Sequence, residues 1–295
     1  MKQHRFSQAP DYVKLGALAL QLRRDTLRMI RNAGSGHIGG SLGLADYMSA
    51  LYGYAMEYDT EDLVNPDRDR IILSNGHTCA VWYAALARCG FIPLEELAAF
   101  RKLGSRLQGH PARKTMPELV ETSTGPLGQG FSVANGIAMS MKLRKSDGQV
   151  YCIIGDGEVE EGQVWEAFMT AAHYGLSNLT LFINDNKLQI DGPVKEIMNI
   201  SSIAEHLKTF GWNVTEIDGH NMSDITCALK KGREKKEKPT AIIGNTLMGK
   251  GIPFMENLAE WHGTCPSDSQ TAAGLQAIGA TDIFEDFPLG SGFPE

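Results

Sequence analysis

A series of short apolar runs, each no longer than a strand, constrains this chain more than any other feature of its sequence. Residues 150–154, 179–183, 212–217 and 240–243 form four of them, and helical patterns fill the gaps at 163–174, 203–210 and 222–236. Such runs suit parallel strands covered on both faces by the helices that connect them. The rhythm begins earlier, with an amphipathic stretch over 12–31, a run at 70–73 and a helical pattern over 78–89. Strand and helix alternating in this way specify an α/β fold, a mostly parallel sheet with helices on both faces.

Composition narrows what such a fold could do. The 295 residues, 42% hydrophobic and 21% charged, supply enough chain for a large core in one large domain or two small ones. The formal net charge of −7 leaves no basic excess, which argues against nucleic acid and against an anionic membrane as partners. An anionic ligand must then be gripped locally. The early apolar run at 15–22 is bracketed by Lys14 and Arg23 and is too short to span a bilayer, so a cytoplasmic protein is expected. Cys79, Cys89, Cys152, Cys227 and Cys265 are odd in number, with no C-x-x-C pair, and read as reduced fillers. The charged run 230–238 reads as a solvated helix end. Residues 1–267 are expected to form the folded domain, and 268–295, rich in Pro and Gly from 287 on, a C-terminal tail or interface segment.

The chemistry gathers where strands end. The run at 150–154 stops in Gly155-Asp156-Gly157, followed by acidic residues at 158, 160 and 161 and a helical pattern from about Gly162. The next run, 179–183, ends in Asn184-Asp185-Asn186-Lys187. In parallel sheets, ligands sit beyond the carboxyl ends of strands, where glycines admit close backbone approach and helix N-termini favour negative charge. Either segment alone is a common turn composition. Both at consecutive strand ends with one helix between form a βαβ unit, whose strands lie side by side. Magnesium takes hard oxygens and keeps few protein ligands, so one Asp, one Asn, a backbone carbonyl and two diphosphate oxygens would serve it.

The stretch from Gly155-Asp156-Gly157 to Asn186-Lys187-Leu188 resembles the motif of thiamine diphosphate enzymes, which begins Gly-Asp-Gly and ends in Asn. Four further segments narrow the family: Gly34-Ser35-Gly36-His37, Leu73-Ser74-Asn75-Gly76-His77, Gln108-Gly109-His110-Pro111 and Thr124-Gly125-Pro126-Leu127-Gly128-Gln129-Gly130. In this order, from about residue 12 to His262, they resemble transketolase. The resemblance implies the thiamine diphosphate-binding fold over 1–267. It implies a metal ion, Mg2+ or Ca2+ or Mn2+ in its place, on Asp156, Asn186 and the Leu188 carbonyl. Gly155 and Gly157 would approach the diphosphate, Ile190 the thiazolium, and Gly125 and Leu127 the aminopyrimidine. His37 and His110 would contact the donor sugar, and His77 and His262 would help bind diphosphate or substrate. Histidine suits these tasks because it donates to hydroxyls and phosphates and exchanges protons near neutrality. Glu161 would lie at a subunit interface linking active sites, with Glu166 on the helix beside it.

By the same resemblance the reaction is transfer of a two-carbon ketol unit from a ketose to an aldose, with sugars or sugar phosphates as substrates. A complete transketolase is roughly twice as long and continues into a pyrimidine domain, which supplies the activating glutamate, and a carboxyl-terminal domain. A partner subunit carrying those domains is therefore expected, in a heterotetramer with two copies of each half. Alternatives are the amino-terminal part of a deoxyxylulose phosphate synthase, which shares Gly-Asp-Gly and a segment like Gly36 to Gly43, and a non-catalytic module of the same fold. A nicotinamide dehydrogenase is disfavoured, because no Gly-x-Gly-x-x-Gly follows a first strand as such sites require. The pattern departs from the family at Ile38, where many members have proline, and in the short loop 249–260. His4, His173, His206 and His220 match no motif.

Overall fold

The computed structural model describes residues 8–234 and 237–289. His4, the lysines 235 and 236 of the charged run, and 290–295 of the Pro/Gly-rich end lie outside them.

The amphipathic stretch at the start forms α1 (Tyr12–Ala33), capped by the Asp11 side chain and closed by Gly34 in the left-handed region, as Asp before and Gly after a helix predict. Two short helices follow, α2 (Ile38–Gly43) and α3 (Ala45–Ala50). Ile38 is the first helical residue after His37, which holds the extended N-cap conformation. Proline is favoured at that position too, so the departure at Ile38 leaves the helix start unchanged. The chain continues through β1 (Arg70–Leu73), α4 (Cys79–Arg88), α5 (Gln129–Leu143), β2 (Val150–Gly155), α6 (Gly162–His173) and β3 (Leu179–Asp185). A small antiparallel pair, β4 (Leu188–Gln189) and β5 (Gly192–Pro193), leads into α7 (Val194–Ile197) and α8 (Ile203–Thr209). β6 (Asn213–Asp218), α9 (Met222–Arg233), β7 (Thr240–Asn245) and α10 (Asp268–Ile278) complete the order.

The main sheet runs β1-β2-β3-β7-β6 with every pairing parallel. Its strands divide their side chains between two cores, as the period of two requires. Tyr151, Ile153, Phe182 and Ile242 face the core built with α1, α3, α4 and α9, where Tyr47 stacks on Phe182 at 3.7 Å. Cys152, Ile154, Leu181, Ile183 and Ala241 face the other, built with α5, α6 and α8, where Phe131, Phe168 and Trp212 meet. β6 departs from the expectation of burial on both faces: it is one of the sheet's two edges, and only Ile217 of its six residues is buried, whereas β1 at the other edge is buried from Ile71 to Leu73. Edge strands carry polar residues such as Glu216 and Asp218 to discourage further pairing.

Residues 268–289 pack back on α1. Ser267 and Gln270 form a capping box at the start of α10, Asp286 pairs with Arg24 at 2.7 Å, and Phe287 is fully buried. Among the described residues no helix is long and apolar enough to cross a membrane.

Candidate active site

Register brings the two strand-end motifs together. Gly155 of β2 sits beside Asn184 of β3, and the Asp156 amide donates to the Asn184 carbonyl at 3.3 Å. Asp156 is 3% exposed. One of its oxygens accepts from the Gly157 amide at 3.0 Å, the other from the Lys187 amide at 2.6 Å. Lys187 holds φ at 65°, an uncommon state for a side-chain-bearing residue that persists where surrounding contacts demand it. Its ammonium pairs with Asp185. The Asn186 amide oxygen accepts from the Leu188 amide at 2.9 Å. Burial, and then the neighbouring Asp185 charge, push Asp156 well above the usual carboxylate range. A buried carboxylate in that position is relieved by a cation placed between it and an anionic ligand. Among the described residues no three His, Cys, Asp or Glu side chains gather as a metal cluster. The oxygens offered here are one carboxylate, one amide and one carbonyl, a set that fits a hard divalent ion keeping phosphate and water as its other ligands.

Across the cleft four imidazoles cluster. His37 lies 5.1 Å from His77, 6.0 Å from His110 and 5.6 Å from His262, and His77 lies 5.2 Å from His262, between ring centroids. Burial, followed by the other histidines, lowers His77 to about 3 and His37 to about 4. Burial lowers His110 and His262 as well, with Arg101 adding to the effect at His110. All four are neutral at pH 7, so each ring offers one donor and one acceptor. The Nδ1 atoms of His37 and His262 are buried with no partner among the described residues, which leaves them open to a ligand. Gly125, at φ 153°, lies where a Cβ would come within 3.3 Å of the His110 ring.

One cavity of about 300 Å³ joins the two ends. Its walls hold His37, His77, His110 and His262, Gly125 and Leu127, Gly155, Asp156 and Gly157, and Asn186, Leu188 and Ile190. Glu161 lies outside it, exposed at the N-cap of α6, and Glu166 is exposed one turn on. Ile190 is 68% exposed at the cavity mouth. A larger cavity of about 380 Å³ lies at the amino ends of the strands, but Arg233 there is already paired with Asp69 and Glu57, and no glycine motif faces it.

Sequence reasoning missed Glu158. It stands among four residues at 158–161 that read as an acidic helix approach, yet it is 2% exposed and lines the cavity. One oxygen accepts from Ser74 Oγ at 2.5 Å and the Gly128 amide at 2.7 Å, the other from the Gly155 amide at 3.2 Å. Burial pushes it up to about 7, against these three donors. It ties the loop before His77, the loop after Leu127 and the turn before Asp156 to one carboxylate. No local signal marks it, since Glu158 and its neighbour Val159 are both buried and only tertiary packing sets it apart from the acids at 160 and 161.

A family model described as transketolase, thiamine diphosphate binding domain, matches residues 17–287. The chain belongs to the transketolase family. It is 40% identical to a 6-deoxy-6-sulfo-D-fructose transketolase subunit of Clostridium sp. strain MSTE9, over 82% of this chain and 87% of that one. It is 36% identical to an apulose-4-phosphate transketolase subunit of Phocaeicola vulgatus, over 90% of this chain and 95% of that one. The crystal structure of transketolase from Campylobacter jejuni superposes with a TM-score of 0.85 at 32% identity, covering 91% of this chain and 43% of that one. The chain thus spans nearly all of two transketolase subunits and about two fifths of a one-chain transketolase. It is the amino-terminal, thiamine diphosphate-binding unit of a transketolase.

Proposed function

We propose that this chain holds the metal and diphosphate of thiamine diphosphate for a split transketolase and acts with a carboxyl-terminal subunit carrying the pyrimidine and carboxyl-terminal domains. The observation that carries the proposal is the shared cavity, in which buried hard oxygens face four neutral histidines. Asp156, Asn186 and the Leu188 carbonyl hold Mg2+, or Ca2+ or Mn2+ in its place, and Gly155 and Gly157 admit the diphosphate. Gly125 and Leu127 meet the aminopyrimidine and Ile190 the thiazolium. When bound, thiamine diphosphate supplies the carbon nucleophile and the electron sink for cleaving a ketose. His37 and His110 orient the hydroxyls of the donor sugar, and His77 and His262 donate to diphosphate or substrate. Their neutrality lets them both give and take a proton at the reacting oxygens. Glu161, exposed at the start of α6, reaches the second active site across an interface between copies.

The partner is supported by two relatives that are themselves named as subunits. Two copies of each half make the assembly, since each site needs both halves at an interface. The sugars named for those relatives differ, so sugars and sugar phosphates form the substrate class here. Five cysteines without a disulfide agree with a cytoplasmic location. Two-carbon transfer from a panel of ketoses to aldoses, assayed with and without the carboxyl-terminal subunit, tests the reading. Activity is expected only with both. Full activity of the chain alone rules out the split arrangement, and pyruvate serving as donor moves the assignment to a deoxyxylulose phosphate synthase.

A further inference from the structure

His220 matched no motif, yet it occupies a buried ionic knot where five segments converge. Its Nδ1 lies 2.7 Å from an Asp46 carboxylate oxygen that also pairs with Arg23. Arg23, on α1, additionally donates through Nε to the Leu42 carbonyl at 3.1 Å, near the end of the helix that starts after His37. On the far side the Leu247 amide donates to His220 Nε2 at 2.8 Å. A backbone amide is only a donor, so Nε2 must carry the lone pair and Nδ1 the proton. Arg23, Asp46 and His220 have side chains 10%, 11% and 16% exposed. Burial works against the Asp46 charge, but Arg23 and His220 outweigh it and hold its pKa below the ordinary value.

Leu247 starts a loop that packs against α2, which follows His37, and against the backbone that leads to His262. Thr246 Oγ1 donates to the Asn184 side chain at 2.8 Å, and the Gly249 amide donates to the Gly39 carbonyl at 2.9 Å. A Cβ at Gly39 would meet Met248 at 2.5 Å and the Trp261 carbonyl at 2.9 Å, and one at Gly43 would meet the Leu247 carbonyl at 3.0 Å. Asn257 donates its amide to the Met248 carbonyl at 2.9 Å, on the way to His262. A small displacement of 246–249 therefore moves α2 behind His37 and the segment carrying His262 together.

We propose that His220, oriented by Asp46 and Arg23, is a positioning residue that fixes the 246–249 loop through the Leu247 amide and so sets His37 against His262. The catalytic part of this inference rests on those two histidines meeting the substrate. The test uses the full chain, with wild type, His220→Gln and His220→Asn compared by hydrogen exchange and, with the carboxyl-terminal subunit present, by steady-state kinetics. Glutamine presents an acceptor near the Nε2 position, whereas asparagine falls short of Leu247. Exchange in peptides covering 246–252 should rise about tenfold in His220→Asn and return toward wild type in His220→Gln, the size expected for one lost backbone hydrogen bond. kcat should follow the same order, while metal-dependent thiamine diphosphate affinity, governed by Asp156 and Asn186, changes less than about twofold. Unchanged exchange in His220→Asn overturns the proposal, and so does faster exchange with unaltered kcat and KM. Absence of ketol transfer in the wild-type assembly would count against the proposed function instead, leaving exchange to decide whether His220 fixes the loop.

Discussion

The two ends of the cavity use burial in opposite senses. At the strand ends it holds Asp156 in surroundings that disfavour its charge, with Asp185 adding repulsion. Across the cleft it holds His37 and His77 neutral far below the pH at which free histidine titrates. At the strand ends the Lys187 ammonium is already paired with Asp185, and across the cleft the histidines are neutral, so in the proposed reading both ends are completed by what binds. The carboxylate end is paired to backbone amides, and the proposal puts a cation beside it; the histidine end has nitrogens unpartnered among the described residues, where the proposal puts a ligand with hydroxyls. Anchoring and chemistry are thus separable by mutation.

The largest effect is expected at the carboxylate. Asp156→Ala removes the only charged oxygen in the proposed metal set, and metal-dependent thiamine diphosphate affinity should fall by about 100-fold or more. Calorimetry with Mg2+ reads it directly. Asp156→Asn relieves the buried charge but turns an amide N–H toward the Gly157 or the Lys187 amide, so the two effects oppose each other and the thermal midpoint of the ligand-free chain should change little. Unchanged cofactor affinity in either variant would dissolve the distinction between the two ends.

His37→Ala should produce the mirror phenotype. With the carboxyl-terminal subunit present, kcat/KM for the donor ketose should drop on the order of 100-fold, the contribution usual for a positioned acid–base or hydrogen-bonding group. Cofactor affinity should stay within about threefold, since the His37 ring takes no part in the proposed metal set. A parallel collapse of cofactor binding would mean that the histidine cluster serves the diphosphate first.

Proton linkage separates the ends again, with a smaller signal. Between its ordinary value of 6.5 and its native value of about 3, His77 is protonated in the unfolded chain and neutral in the native one. Its stabilisation is present above pH 6.5 and lost as pH falls through that window. Asp156, raised in the native state, has the opposite sign: its contribution is present below the usual carboxylate range and lost as pH rises. Over pH 7 to pH 5 these contributions oppose each other, so on that change of pH the urea midpoint of the ligand-free chain should fall less, or rise more, in His77→Gln than in wild type. The same slope in both would locate the linkage elsewhere.

How much of this could be read from the sequence depends on whether local pattern or tertiary context decides. β1, β2, β3 and β7 sit within two residues of their apolar runs, since a strand covered on both faces has little choice. β6 read as apolar but is an edge, because sheet order is not encoded locally. α5 was not legible: its cap is Gly128 in the left-handed region, and glycines at 130 and 136 dilute the helical signal. Asp156, Asn186 and the four histidines were legible as residues through their motifs. Their mutual distances were not, because segments from six parts of the chain meet only after folding. The knot at His220 left no motif at all, since its partners Arg23, Asp46 and Leu247 are scattered along the sequence.

The smallest expected effect is at Glu158, and it addresses what joins the two ends. Its carboxylate receives Ser74, three residues before His77, and the Gly128 amide, just past Leu127, on one oxygen. The other oxygen receives the Gly155 amide, one residue before Asp156. Glutamine in its place keeps an acceptor for Ser74 and Gly128 but turns an amide N–H toward the Gly155 N–H. One buried donor is then left unmatched, at a cost of about 1–3 kcal/mol in stability. Both turns should shift slightly, so cofactor affinity and kcat should each fall about threefold to tenfold, measured by calorimetry and steady-state kinetics. A loss confined to one of the two would show that Glu158 braces a single end, and the cavity's halves would then be held in register by the sheet alone.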